Sequence, residues 1–356
     1  MNHPDVEDER YQEHILQGVS RTFALTIPVL PVPLSRVVSN AYLLCRIADT
    51  IEDDRDMPEV EKRRYSEEFI RIVGGSGDTG NFANSLHENL SDSASDDEKD
   101  LIKHTPAVIR ITHSFNRRQQ AALQRCIRIM AEGMTQYQEA NVRHGLKDQA
   151  DMDRYCYFVA GVVGEMLTEL FCDYSEAIDK NREQLGILAV SFGQGLQMTN
   201  ILKDIWDDQA RGMCWLPGDV FKLHGTNLAH LNPADSNPAF EMALGQLIGV
   251  ARSHLANALE YTLLIPAYEK GIRRFCLWAL GMAILTLRKI NAHRDFSSAR
   301  EVKISRRSVR ATVLVSNCIT GNDILLRGLF SVLTRPLPEY RLPAIFNSST
   351  EAITRT

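Results

Sequence analysis

The sequence has little of what marks several large classes of protein. Period-two alternation of apolar and polar residues, the sign of a half-buried strand, is hard to find over any useful length. No G-x-G-x-x-G follows a strand-like run, which excludes a dinucleotide-binding α/β domain. The seven cysteines, at 45, 126, 156, 172, 214, 276 and 318, include no C-x-x-C pair, so a zinc site on that spacing is excluded. An odd, scattered set fits a reducing compartment, with most thiols acting as small buried hydrophobes. Positive charge is not in excess: the formal net charge is −5 and the pI about 6.1. Nucleic acid is therefore not an expected partner, and an anionic ligand must be held by local bases or a metal. The longest nearly apolar run, residues 275–287, is shorter than the roughly 20 residues of a membrane span. Arg274 and Arg288 bound it, and it reads as a buried core helix. The acidic first nine residues lack the apolar stretch of a signal peptide, so the expectation is a cytoplasmic protein with no transmembrane anchor.

What is present is helical. Over 356 residues, 44% hydrophobic and 24% charged, the chain can bury a large core. Val37, Val38, Ala41, Leu44, Cys45 and Ala48 recur at three and four, the period of a helix with one buried face, and the class is all-α. Residues 1–334 are expected as a single helical domain. A Gly-, Ser-, Asp- and Asn-rich stretch, 74–100, reads as a polar loop insertion, and 335–356 as an irregular tail. At the end of that stretch, Ser95-Asp96-Asp97-Glu98 followed by Leu101-Ile102 marks a helix start. A second break, 231–238, carries two prolines.

Two acidic motifs carry the chemistry. Asp49, Glu52 and Asp53 share one face of a helix, where like charges repel by a few tenths of a kcal/mol per exposed pair and more if buried. A hard divalent cation compensates such a cluster, although a solvated acidic helix end fits this motif equally well by itself. Asn200, Asp204 and Asp208 are spaced by four and again by four, with Asp207 alongside, and line a second stripe with oxygen. An all-oxygen set selects Mg2+, or Mn2+, over zinc. Magnesium keeps waters and needs few carboxylates when a substrate phosphate completes its shell, so two such faces suit magnesium-diphosphate.

Five segments resemble the squalene and phytoene synthase family, in the family's order: Ser20-Arg21-Thr22-Phe23, residues 42–54, Tyr155-Cys156-Tyr157-Phe158-Val159-Ala160-Gly161, residues 195–208 and residues 211–217. The resemblance implies an isoprenoid-synthase type of helical fold with a central cavity. It implies that Asp49, Glu52 and Asp53 hold magnesium on one diphosphate, and Asn200, Asp204 and Asp208 on the other. Arg21, Arg46 and Arg211 would pair with diphosphate oxygens, with Ser20, Phe23, Gln197, Val159 and Val163 contributing to the substrate pocket. Tyr155 and Tyr42 would stand by the reacting carbons, where a phenol can relay a proton and a ring can face a cation. Lys203 stands where arginine is also found in the family. For each residue taken singly, core packing or a surface ion pair is the simpler explanation; the order of the segments argues for the site.

Within the family, Val302-Lys303-Ile304-Ser305-Arg306-Arg307 resembles the stretch after the last pocket helix of squalene synthases, and Lys303, Arg306 and Arg307 would meet the phosphates of NADPH. The expected reaction is head-to-head condensation of two farnesyl diphosphates through presqualene diphosphate, then NADPH reduction to squalene. The alternative is a phytoene or dehydrosqualene synthase that loses a proton instead. A monomer is expected, with a hydrocarbon product that favours peripheral contact with a membrane through residues 325–333.

Overall fold

The computed structural model describes residues 6–20, 22–139, 142–232 and 237–342. Among them the chain is helical, with one isolated bridge, Leu146 to Pro217, and no strand. The chain divides into two compact units, one built from the residues up to 140 and 165–180, the other from 141–164 and 181 onward.

In the first unit, helix Val32–Asp53 is central. Pro33 in its first turn presets the backbone where no amide partner is needed. All six residues of its apolar spacing are buried, against helices Val6–Val19, Thr105–Ser114 and Arg117–Glu139. Asn40, buried within that face, donates to the Val108 carbonyl at 3.0 Å and accepts from Thr112 Oγ1 at 2.8 Å, which fixes the rotation of the helix against its neighbour. Asp54 ends it. Its buried carboxylate accepts from the amides of Met57, at 2.9 Å, and Ser91, at 2.8 Å, so the last acid of the first motif is a structural cap.

Residues 74–100 are not a loop. They contain helix Thr79–Asn89 and the start of Asp96–Lys103. Asp78 caps the first by accepting from Gly80 and Asn81, and Phe82, Ala83 and Leu86 bury a short apolar stripe that the polar composition conceals. Gly75-Ser76-Gly77-Asp78-Thr79-Gly80 happens to have the G-x-G-x-x-G spacing, but a helix precedes it, not a strand. The helix start at Ser95 is a full capping box with Glu98. Of the expected irregular tail, 335–342 carries no helix and the remainder lies outside the described residues.

In the second unit, helix Arg182–Ala210 packs along Pro238–Leu264 and across a π-helical turn, Tyr157–Gly161. Glycines set the closeness: a Cβ at Gly193 would collide with the Ala160 carbonyl, and one at Gly164 with the Ala189 carbonyl. The run 275–287 lies in helix Lys270–Ala292 and is a core helix as expected. The whole helix, with Arg182–Ala210 and Gln149–Tyr174, is nevertheless long and apolar enough by composition to cross a membrane, which corrects the length argument made on the run alone. More than half of each of these windows is buried within the protein. Six cysteines are buried and Cys318 is exposed, and none of the seven is in a disulfide.

Gly193→Ala is expected to lower stability by about 1–3 kcal/mol, because backbone cannot yield to the new methyl. Gly186→Ala, on the same helix with open space around it, should raise stability by about 0.5–1 kcal/mol. Thermal unfolding of the two variants checks both signs.

Candidate functional site

Each unit presents one cluster. In the first, the buried face of Val32–Asp53 leaves Tyr42, Arg46, Asp49 and Asp53 on the opposite side, one turn apart. Tyr42 Oη donates to the Val19 carbonyl at 3.0 Å, and its ring lies 5.0 Å from that of Phe23. The Phe23 amide in turn donates to the buried Ser20 Oγ at 3.0 Å. The structure thus gathers Ser20, Phe23, Tyr42, Arg46, Asp49 and Asp53 in one unit; Arg21 lies outside the described residues.

Arg46 is the hinge of this cluster. It pairs with Glu98 of helix Asp96–Lys103 and stands 4.0 Å from Asp49. Burial disfavours its charge, but Glu98 and Asp49 outweigh that and hold its pKa above the usual value. Glu98 is opposed by burial as well, yet the Ser95 hydrogen bonds and Arg46 keep it below the usual carboxylate range. Asp49 has no such support. Burial, then the neighbouring Asp53, push its carboxyl up to about 7, against the weaker pull of Arg46. Burial also raises the Tyr42 phenol. Glu52 is half-buried, and its carbonyl accepts from Lys62 Nζ at 2.7 Å.

In the second unit, Asn200, Asp204, Asp207 and Asp208 follow the last turns of Arg182–Ala210. Lys203 Nζ lies 3.1 Å from Asp204 and 3.4 Å from Asn200 Oδ1. Arg211, the residue after the helix, pairs with Asp208. Burial raises Asp208 to about 6 against Arg211, with Asp204 and Asp207 adding to the rise. Gly212, at φ +79°, reverses the chain, and Leu146 then clamps 211–217 by accepting from Gly218 at 2.8 Å and donating to Leu216 at 2.9 Å. That clamp places Trp215 flat on Tyr155, ring centroids 3.9 Å apart and planes within 6°. The π-helical turn begins two residues after Tyr155 and carries Val159 half-buried, with Val163 just beyond it and Gln197 half-buried one turn before Asn200. Lys303, Arg306 and Arg307 are exposed, the two arginines in the first turn of helix Arg306–Ile319. Trp206 Nε1 donates to the Phe296 carbonyl at 2.6 Å and ties the loop leading to Lys303 onto the aspartate-bearing helix.

Glu98 and Trp215 were missed in the sequence. The helix-start signal at Ser95 gives Glu98 a local explanation that conceals its partner Arg46, and no sequence pattern in 211–217 points from Trp215 to Tyr155. No group of three or more His, Cys, Asp or Glu side chains converges to hold a metal among the described residues. The fit is instead that of magnesium with a diphosphate: carboxylates in pairs, like charges incompletely neutralised, and a buried Arg46 Nε that has no hydrogen-bond partner in the described structure.

Three comparisons bear on this geometry. A family model described as squalene/phytoene synthase matches residues 16–308. Squalene synthase from Gibberella zeae is 29% identical over 308 residues, covering 85% of this chain and 63% of that protein, so the chain spans under two thirds of that relative's length. Among solved structures, the complex of TcSQS with the ligand BPH1237 superposes with a TM-score of 0.73 at 22% identity, covering 98% of this chain and 99% of that one. A dehydrosqualene synthase bound to a ligand gives 0.62 at 19% identity, covering 88% and 96%. At those identities the structures establish the fold, an all-α fold shared with squalene and dehydrosqualene synthases.

The raised Asp49 sets the sign of a pH effect in the metal-free protein. Its folded pKa lies above its unfolded one, so its charge destabilises the fold at high pH and costs nothing once both states are protonated. Asp49→Asn should therefore be more stable than the parent by about 1–2 kcal/mol at pH 8, after discounting for partial exposure, with the gain shrinking as pH falls from 7 to 4. Denaturant titration in chelator across that range measures it.

Proposed function

The chain belongs to the squalene/phytoene synthase family, and we propose that it condenses two farnesyl diphosphates head to head and reduces the cyclopropyl diphosphate so formed to squalene with NADPH. The observation that carries the reading is Asp49, half-buried with its carboxyl pushed up to about 7 beside Asp53 and a pairing Arg46. A carboxylate in that state invites a hard cation.

Bound magnesium would neutralise a departing diphosphate and so let an allylic carbon ionise. Asp49, Glu52 and Asp53 are the ligands we assign in the first unit, and Asn200, Asp204 and Asp208 in the second. Arg46 has a free Nε with which to donate to a phosphate oxygen, and Glu98 holds its guanidinium in place for that bond. Arg211, now on Asp208, exchanges part of that pairing for a diphosphate oxygen. Arg21 would join them. Tyr155, its plane fixed by Trp215, keeps its phenol oxygen at a set position for proton relay, and Tyr42, tethered to Val19, does the same on the first helix. Ser20, Phe23, Val159, Val163 and Gln197 shape the surroundings of the prenyl chains.

For the reductive step, Lys303, Arg306 and Arg307 offer exposed bases at a helix start, a natural place for nucleotide phosphates, and NADPH would supply the hydride there. The likeness in sequence to curated squalene synthases supports reduction over simple proton loss.

Purified protein incubated with farnesyl diphosphate and magnesium should give squalene with NADPH and a cyclopropyl diphosphate without it. A C40 hydrocarbon from geranylgeranyl diphosphate, or dehydrosqualene whether or not NADPH is present, would contradict the assignment. Asp49→Ala and Asp204→Ala should each lower turnover by at least about 1000-fold, roughly 4 kcal/mol, while remaining folded.

A further inference from the structure

We propose that the end of the second unit formed by its last two helices is a docking surface for an anionic lipid bilayer. Helices Arg306–Ile319 and Asp323–Thr334 are joined by a three-residue turn and seat Ser316, Leu326 and Thr334 inward, on the side of helix Lys270–Ala292. Arg273, itself fully buried, fastens that turn. It donates to the Thr320 carbonyl at 3.0 Å and to the Ile265 carbonyl at 2.7 Å, and pairs with Asp323 at 2.7 Å. The hairpin turn is thereby held beside the 265–269 turn, where Tyr268 is exposed.

The outward faces carry large apolar side chains among their polar and basic ones. Ile324 is 82% exposed and Leu314 and Val332 are each 67% exposed, with Leu325 and Val315 beside them. A cavity of about 290 Å³ opens between these helices and Lys270–Ala292, walled by Leu277, Leu280, Ile284, Leu329 and Phe330. Such a cavity suits a hydrocarbon chain. Scattered exposed apolar residues need no explanation, but a set concentrated on one hairpin around an apolar cavity marks an interaction site.

Charge selects the partner. Residues 299–342 contain eight Lys or Arg against three Asp or Glu, in a chain whose net charge is −5. The three acids are engaged, Asp323 by Arg273, Glu339 by Arg252 and Glu301 by Ser297 and Ser298, and of the bases Arg327 is paired with Glu260. Arg306, Arg307, Arg310 and Arg335 are exposed. A basic, apolar-faced helix pair on an otherwise acidic protein complements a negatively charged membrane surface, where each base adds to the attraction and apolar side chains enter the headgroup boundary.

Flotation of the full chain with phosphatidylcholine vesicles, with and without phosphatidylglycerol, tests this without substrate, so its outcome is independent of which product the enzyme makes. Binding to the anionic vesicles is expected at low salt and should weaken about tenfold in their absence or at high salt. Ile324→Glu with Val332→Glu, and separately Arg310→Glu with Arg335→Glu, should each reduce binding about tenfold while turnover in detergent and thermal unfolding stay those of the parent. The proposal falls if the parent stays unbound with anionic vesicles at low salt, or if the Ile324/Val332 variant floats as the parent does. It also falls if the parent is a dimer that this variant converts to a monomer without any vesicle binding, which would assign the face to a second copy of the chain.

Discussion

Repulsion between carboxylates held on helix faces is the constraint around which this protein is arranged. Asp49, beside Asp53, and Asp208, beside Asp204 and Asp207, are raised by burial and by those neighbouring charges, and Arg46 and Arg211 offset only part of that rise. Such clusters persist only where the surrounding structure fixes the helices that bear them. In the first unit the fixing is done by the fully buried inner face of Val32–Asp53 and by Asn40, so the outer face has no freedom to turn its acids away. Asp54 completes the arrangement by spending its own charge on backbone amides, which ends the helix directly after the last exposed acid.

The second unit reaches a similar condition by packing glycine against backbone. Gly193 and Gly164 let Arg182–Ala210 touch the turn that follows Tyr155, and the clamp between Leu146 and residues 216–218 lays Trp215 on the tyrosine ring. The phenol is thus placed by three separate local devices: a π-helical turn, a close helix crossing and an aromatic stack. Each is structural in itself, and together they determine where one oxygen atom sits.

Much of this was legible in the sequence because it depends on period. The 3.6-residue spacing from Val37 to Ala48 and the four-residue spacing from Asn200 to Asp208 predict the two helices and which residues share a face, and both hold. The capping signal at Ser95 holds as well. Composition was the poorer guide. Residues 74–100 look like a loop because Gly, Ser and Asp dominate, yet Phe82 and Leu86, four apart behind the Asp78 cap, suffice for a helix once a core exists to receive them. The pairing of Arg46 with Glu98, 52 residues away, has no local sequence signal, nor does the stacking of Trp215 on Tyr155. Such contacts are products of tertiary packing, which a periodic pattern does not encode.

Calorimetric titration of the protein with magnesium, alone and with inorganic pyrophosphate, tests the central claim most directly. If incompletely neutralised carboxylates await a metal that a diphosphate must complete, magnesium alone binds weakly and pyrophosphate tightens it by an order of magnitude or more, with Asp49→Asn and Asp204→Asn each removing part of that enhancement. Equal magnesium affinity with and without pyrophosphate, or an enhancement unchanged in both variants, would contradict it.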